Sequence, residues 1–312
     1  MNSLILAFNV VIPMMIYMLI GGLIKKSNIL SEGSFKQFNE TIFRVLLPLS
    51  LFFDVYESDL MTSVQPWLLA LSAGAVVLIF AISWGIVPRL IRDKRDSVTV
   101  VQGIYRSNFV LFGTTISTSL CGERGAAVSA ALAMVIVPLF NILAVILFEV
   151  SRGGDVKPGR LLLQIVKNPL VDAGILGAVF NLSGIGIPSI LARPLMTLGD
   201  IASPLALLVL GGLLSFRSMA GHKSRLLSVV LLRLVVVPLV ALLFFVLLGV
   251  RQEGLVALMT LFASPVAVSS VPMAQSMGGN GELAGEIVAV SSACSILTIF
   301  LFILTLSTLG LI

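Results

Sequence analysis

The chain has 312 residues, of which 58% are hydrophobic and only 11% charged, with a net charge of +5. Soluble domains carry roughly 25% charged residues, and no water-soluble core of this length absorbs so much apolar surface, so the sequence describes an integral membrane protein. In that setting the basic excess signals orientation in a bilayer and does not point to a nucleic-acid partner.

Apolar runs of about 20 residues, each able to cross a hydrocarbon layer roughly 30 Å thick as a helix, recur from end to end. Helices are required because lipid offers backbone N–H and C=O groups no partner. The first run, 4–24, has no basic residue before it and no small-residue cleavage site after it, so it reads as a retained span and not as a signal peptide. The others are 37–56, 67–87, 98–120, 126–148, 161–182, 194–214, 226–249, 255–277 and 284–309, which makes ten. Cys121 and Cys294 have neither C-x-x-C spacing nor companion histidines, so they are expected to be buried small residues, with no metal site and no disulfide.

Assigning Lys and Arg to the connections puts fifteen on the odd-numbered side, among them Lys25, Lys36, Arg95, Arg106 and Arg225. The even-numbered side has only Arg124, Arg193 and Arg251. The odd connections are therefore expected in the cytoplasm, with both termini on the outer, periplasmic face of a bacterial inner membrane. Asp54, Glu57 and Asp59 then form a solvated outer helix end.

The chain also repeats itself. An offset of 156 residues superposes Pro13 on Pro169, Gly21 on Gly177 and Pro48-Leu49-Ser50-Leu51 on Pro204-Leu205-Ala206-Leu207; an offset of 157 superposes Thr115 on Pro272 and Cys121-Gly122 on Gly278-Gly279. Proline and glycine punctuate helices, so their agreement in register outweighs shared leucines. The halves are residues 1–150 and 161–312, joined by a polar cytoplasmic linker at 151–160. Five spans per half is an odd number, so the second half enters the membrane from the opposite side, the inverted-repeat arrangement associated with alternating access in secondary transporters.

Spans four and nine suit lipid least. Span four reads Val101-Gln102-Gly103-Ile104-Tyr105-Arg106-Ser107-Asn108 and runs on through Gly113-Thr114-Thr115; span nine reads Ser264-Pro265-Val266-Ala267-Val268-Ser269-Ser270-Val271-Pro272. Proline removes an N–H and clashes with the preceding turn, and glycine and serine tolerate opened backbone, so both spans are expected to break near mid-membrane. The N-terminal ends of the resulting half-helices carry partial positive charge and free N–H groups that suit a carboxylate. Asn108, Gly113, Thr114, Thr115, Ser269, Ser270, Val271 and Pro272 are the expected substrate-binding positions. Arg233, an intramembrane cation in span eight, is the expected charged member. Arg44 and Asp200 occupy equivalent places in the two halves and are candidates for a pair across them, while Glu286 reads as a cap at the start of span ten.

Other functions find little in the sequence. An intramembrane enzyme needs a nucleophile with a base, a carboxylate pair or metal ligands, and the only histidine, His222, lies in a connection. A cation–proton antiporter needs carboxylates deep in spans four and nine, where there are none. A sensor needs an output domain, and a channel would conduct faster than a carrier cycle allows. The driving force stays open among proton symport, sodium symport through neutral oxygens, and potential-driven uniport.

Several of these runs resemble the auxin efflux carrier family. They are Arg106-Ser107-Asn108-Phe109-Val110-Leu111-Phe112-Gly113, Lys167-Asn168-Pro169-Leu170 with Gly177, Ser203-Pro204-Leu205-Ala206-Leu207 with Gly211, Arg233 five residues before Pro238, and Pro272 eight before Asn280. The family includes plant PIN-formed auxin exporters and bacterial malonate and malate permeases. The resemblance implies an all-α membrane fold of ten helices like that of the bile-acid symporters. Spans 1, 2, 6 and 7 would form a scaffold, spans 3–5 and 8–10 a transport domain, and discontinuous helices 4 and 9 would cross. It further implies a small organic anion as substrate, malonate, malate or an indole carboxylate, with no cofactor and with a homodimer through the scaffold. By motif, Asn108 matches the family asparagine near the substrate and Pro272 the crossover proline. Thr115 departs from the family, which often has proline there. Nothing resembles the long cytoplasmic loop of many plant members.

Overall fold

The computed structural model describes residues 2–57, 66–151, 168–214 and 223–312, and among these it is helical with no strand. Residues 161–167 of the sixth apolar run, nearly all of the 151–160 linker, Asp59 and His222 lie outside the described residues.

Helix α1 runs Asn2–Lys26. Helices α2 (Glu32–Thr41) and α3 (Leu47–Tyr56) follow as one rod joined by a π turn at Ile42–Leu46. Ser31 caps the rod by accepting the Ser34 N–H at 3.1 Å. Helix α4 is Pro66–Leu90, α5 Lys94–Tyr105, and α6 Phe109–Ser151. The last turns back at Gly122, whose φ of +61° only glycine adopts without strain. In the second half come α7 (Pro169–Ser183), α8 (Ser189–Asp200) and α9 (Ala202–Leu213). Helices α10 (Lys223–Leu231) and α11 (Val237–Leu247) are again linked by a π turn, Leu232–Val236. Helix α12 is Gln252–Ala263, α13 Ser270–Ser276 and α14 Gly281–Thr308.

Among the described residues, five stretches are long and apolar enough to cross a membrane: Pro66–Leu90, Thr115–Ser151, Ser189–Leu213, Lys223–Leu247 and Gly281–Thr308. The faces turned away from the core are apolar, with Leu19, Leu23, Leu182, Leu227 and Leu247 exposed. Such a surface belongs against lipid, and the chain is a multi-pass membrane protein. Cys294 is exposed on α14 and Cys121 half-buried. This differs from the burial expected of both, because in a bilayer the outer face of a helix is itself an apolar environment.

Helix pairs are brought together through glycine. A Cβ on Gly211 would overlap the Met18 carbonyl and one on Gly21 the Leu208 carbonyl, so α1 and α9 pack backbone to backbone. Gly177 does the same against Phe52, bringing α7 onto α3. Association without a hydrophobic driving force depends on such close approach.

The two most enclosed stretches, Asp96–Tyr105 of α5 and Leu255–Ala263 of α12, have no exposed residue, and both lead into a break at the centre of the molecule. Both breaks lie within the two polar runs. The first falls upstream of Gly113 and Thr115, through which α6 passes unbroken, and the second falls at Ser264-Pro265 and not at Pro272, which sits in the first turn of α13, where no intrahelical N–H is needed. Glu286 is fully buried, further along α14 than its cap, which is Asn280 accepting the Leu283 N–H at 3.0 Å.

Candidate functional site

The second break follows from Pro265. A proline disfavours helical geometry in the residue before it, and Ser264 is extended at φ −64°, ψ 149°. The first break has neither proline nor glycine. There Arg106 is extended at φ −88°, ψ 117°, and the cause is tertiary: Ser107 forms an antiparallel bridge with Val266, and the Asn108 N–H donates to the Pro265 carbonyl at 2.8 Å. Each opened helix supplies the backbone partners that the other has lost. The Ser291 hydroxyl on α14 accepts the Val266 N–H at 3.2 Å.

Arg233, held in the second π turn and 1% exposed, closes one side of the crossing. Its Nε donates to Ser264 O at 3.0 Å, one terminal nitrogen to Leu261 O at 3.0 Å, and the other to Ile104 O at 3.2 Å and Tyr105 O at 3.5 Å. These carbonyls end α12 and α5, where a helix carries partial negative charge. One guanidinium thus neutralises two helix C-termini at once.

Arg106 lies at the break itself, 5% exposed, although positive-charge counting assigns it to a cytoplasmic connection. It donates to Asn141 Oδ1 at 2.7 Å and to Ser269 Oγ at 2.9 Å, reaches Met273 Sδ at 2.9 Å, and lies 3.5 Å from Phe140 O. Its Nε, the Ser107 and Ser270 hydroxyls and Asn108 Nδ2 are buried without a hydrogen-bond partner among the described residues. Buried polar groups are normally satisfied, so four such groups within one crossing mark a place built to engage something polar.

Two cavities flank the crossing. A small one of about 120 Å³ is lined by Arg106, Ser107, Asn108, Asn141 and Ser269, with Asp54 also on its wall. A polar vestibule of about 980 Å³ lies between α1, α2 and α9 on one side and α5, α13 and α14 on the other, with Val271 and Gln275 of α13 on its wall. Asn39 on α2 donates to Gln275 Oε1 across it at 2.6 Å. Beside it, Asp96 is held by Arg225 and by Asn280 Nδ2 at 2.7 Å, fastening the starts of α5, α10 and α14 together.

Of the positions singled out by sequence, Asn108 and Ser269 face the small cavity, Val271 faces the vestibule, and Ser270 and Pro272 are buried between them. Gly113 is packed beneath the Phe109 ring; Thr115 is exposed, its hydroxyl bonded to Leu111 O at 3.1 Å; the side chain of Thr114 lies outside the described residues. Arg233 reaches backbone carbonyls and lines neither cavity. Arg44 pairs with Glu40 one turn away at 2.9 Å, and among the described residues it forms no ion pair with Asp200, so the expected pair across the halves is not formed.

Helix N-termini contribute less than the sequence suggests. The Ser270 and Val271 N–H groups are spent on Ala267 O at 3.0 Å and Val268 O at 3.2 Å, and that of Asn108 on Pro265. Arg106, Ser107 and Asn141 are the residues that sequence reading missed. The signal for Arg106 was a cation eight residues into an apolar run, which no loop assignment accommodates.

A family model described as "Membrane transport protein" matches residues 6–303. Over 236 residues the chain is 25% identical to an uncharacterized transporter of Methanothermobacter thermautotrophicus, with 74% of this chain and 76% of that protein covered.

Proposed function

The chain belongs to the membrane transport protein family, the auxin efflux carrier family that its motifs resemble, and we propose that it carries a small organic anion across the membrane by alternating access. In this reading ten spans form two inverted five-helix repeats, residues 1–150 and 161–312. Spans 1, 2, 6 and 7 are the scaffold and spans 3–5 and 8–10 the moving domain. The carrying observation is the antiparallel bridge between Ser107 and Val266, where two helices break at corresponding places. Oppositely inserted repeats would meet in this sense.

A dicarboxylate such as malonate or malate is the proposed substrate, bound between Asn108 and Ser269. With odd connections in the cytoplasm, the termini lie outside a bacterial inner membrane and the large vestibule opens inward. Two copies would associate through the scaffold helices, and a proton or sodium gradient or the membrane potential alone would drive the cycle.

A second reading, an indole-type carboxylate, is favoured by one feature. An apolar cavity of about 420 Å³ between α3, α6 and α7 shares Leu51, Asn141 and Leu170 with the small polar one, which suits a ring attached to a carboxylate.

The deciding experiment is uptake of radiolabelled malonate, malate and indole-3-acetate into proteoliposomes, with proton, sodium and electrical gradients imposed separately. Saturable uptake with counterflow is expected. Uptake that never saturates would indicate a channel, and no uptake of any of the three would overturn the proposal.

A further inference from the structure

Among the described residues two guanidinium groups are buried, those of Arg106 and Arg233, and their surroundings differ. Arg233 has every nitrogen on a carbonyl at the negative end of a helix. Arg106 has only neutral partners, an amide oxygen, a hydroxyl, a thioether and one long contact to a carbonyl, and no ion pair among the described residues. Arginine does not lose its proton, so this charge is permanent. It lies beside the start of α6, whose first N–H groups at Phe109, Val110 and Leu111 have no intrahelical acceptor and add positive potential. Asp54, the carboxylate on the same cavity wall, forms no ion pair with Arg106. A buried cation without an opposite charge is costly unless something anionic engages it.

The donors that could do so belong to three consecutive residues. Arg106 Nε, Asn108 Nδ2 and Ser107 Oγ are all without a partner, and all three residues line the cavity of about 120 Å³. We propose that Arg106 is the charge-bearing member of the substrate site. The substrate places one carboxylate group against Arg106 Nε and Asn108 Nδ2 and so supplies the opposite charge that the guanidinium otherwise lacks. This rests on the transporter reading above and names what that reading lacked, the cation and the number of carboxylates it receives. Any second carboxylate or apolar body of the substrate extends away from the guanidinium.

The test uses the detergent-purified full chain and follows thermal stabilisation by acetate and malonate in wild type, Arg106→Gln and Arg106→Lys, alongside proteoliposome uptake. Glutamine keeps a hydrogen-bonding side chain for Asn141 and Ser269 while removing the charge, so a purely structural role predicts an unchanged response to carboxylates. The proposal predicts stabilisation of wild type by both anions and an apparent affinity about tenfold or more weaker in Arg106→Gln, the loss of about one charge-assisted bond, with Arg106→Lys between. A wild-type response in Arg106→Gln, or no stabilisation of wild type by either anion, overturns it. Should Arg106→Gln fail to fold, Arg106→Lys decides: a retained response to carboxylates supports the charge role and its loss overturns it. Absent uptake with Arg106-dependent stabilisation would overturn transport and leave this site standing; uptake with an unaltered KM in Arg106→Gln would do the reverse.

Discussion

Asn108 and Pro265 are joined through main-chain atoms alone, the N–H of one donating to the carbonyl of the other at 2.8 Å. Changing the Asn108 side chain therefore leaves the crossing itself intact and removes only the amide, Nδ2 included, from the cavity wall. Asn108→Ala is expected to purify with a melting temperature near that of wild type while its kcat/KM for the transported anion falls about 10- to 100-fold, the loss of one hydrogen bond to a charged group. Wild-type uptake by this variant would remove Asn108 from the site.

Arg233 should behave in the opposite way. Arg233→Met strands the carbonyls of Ile104, Leu261 and Ser264 in the core and is expected to cost about 2–4 kcal/mol, read as reduced yield and a lowered melting temperature. Arg233→Lys, with a compact ammonium reaching fewer carbonyls, should recover part of that stability with a wild-type KM, since the side chain lines neither cavity. A raised KM in Arg233→Lys would contradict the division of labour between the two arginines.

The glycine contacts give a pair of controls within one experiment. Gly211→Val forces α1 away from α9 and should destabilise the protein by about 1–3 kcal/mol, because its Cβ meets the Met18 carbonyl. Gly74→Ala on α4, where a Cβ meets nothing within 4 Å, should leave stability unchanged or raise it by about 0.5–1 kcal/mol. Equal melting temperatures for the two variants would refute the backbone contact.

The bond from Asn39 to Gln275 spans the vestibule between elements that move relative to each other in the proposed cycle. Gln275→Ala removes about 1 kcal/mol from this arrangement alone, so its population should fall about fivefold relative to the alternative one. Labelling of a cysteine introduced at Ser276, on the vestibule wall, should slow accordingly; unchanged labelling would show that the bond does not bias the equilibrium.

Much of this architecture can be read from residues, and the shortfalls have physical causes. Apolar runs announce helices whatever their neighbours, which is why α4 and α14 fall close to their expected limits. The break at Arg106 could not be located in the same way, because nothing at 106–108 disfavours a helix; it exists because Pro265 opens α12 and exposes a carbonyl that the Asn108 N–H takes up. Pro272 drew attention as a breaker, yet at the start of a helix a proline breaks nothing. Arg233 could be recognised as an anomalous intramembrane charge, but its partners are main-chain carbonyls 28 to 129 residues away, and these have no signature in the sequence. Arg106 escapes for a further reason: charge counting places it in the adjoining connection although it lies eight residues inside an apolar run, and its partners Asn141 and Ser269 are visible only in the packing.

The vestibule and the small cavity nearly meet. Val271 lines the first and Ser269 the second, so the start of α13 is what stands between them. Water filling the wider space would bring bulk potential almost to the crossing, so the voltage across the bilayer would drop over a thin septum and not over its full thickness. A charge shifted only a few ångströms there would sense most of the membrane field, and modest rearrangement around Ser269 could be strongly voltage-dependent without any helix travelling far.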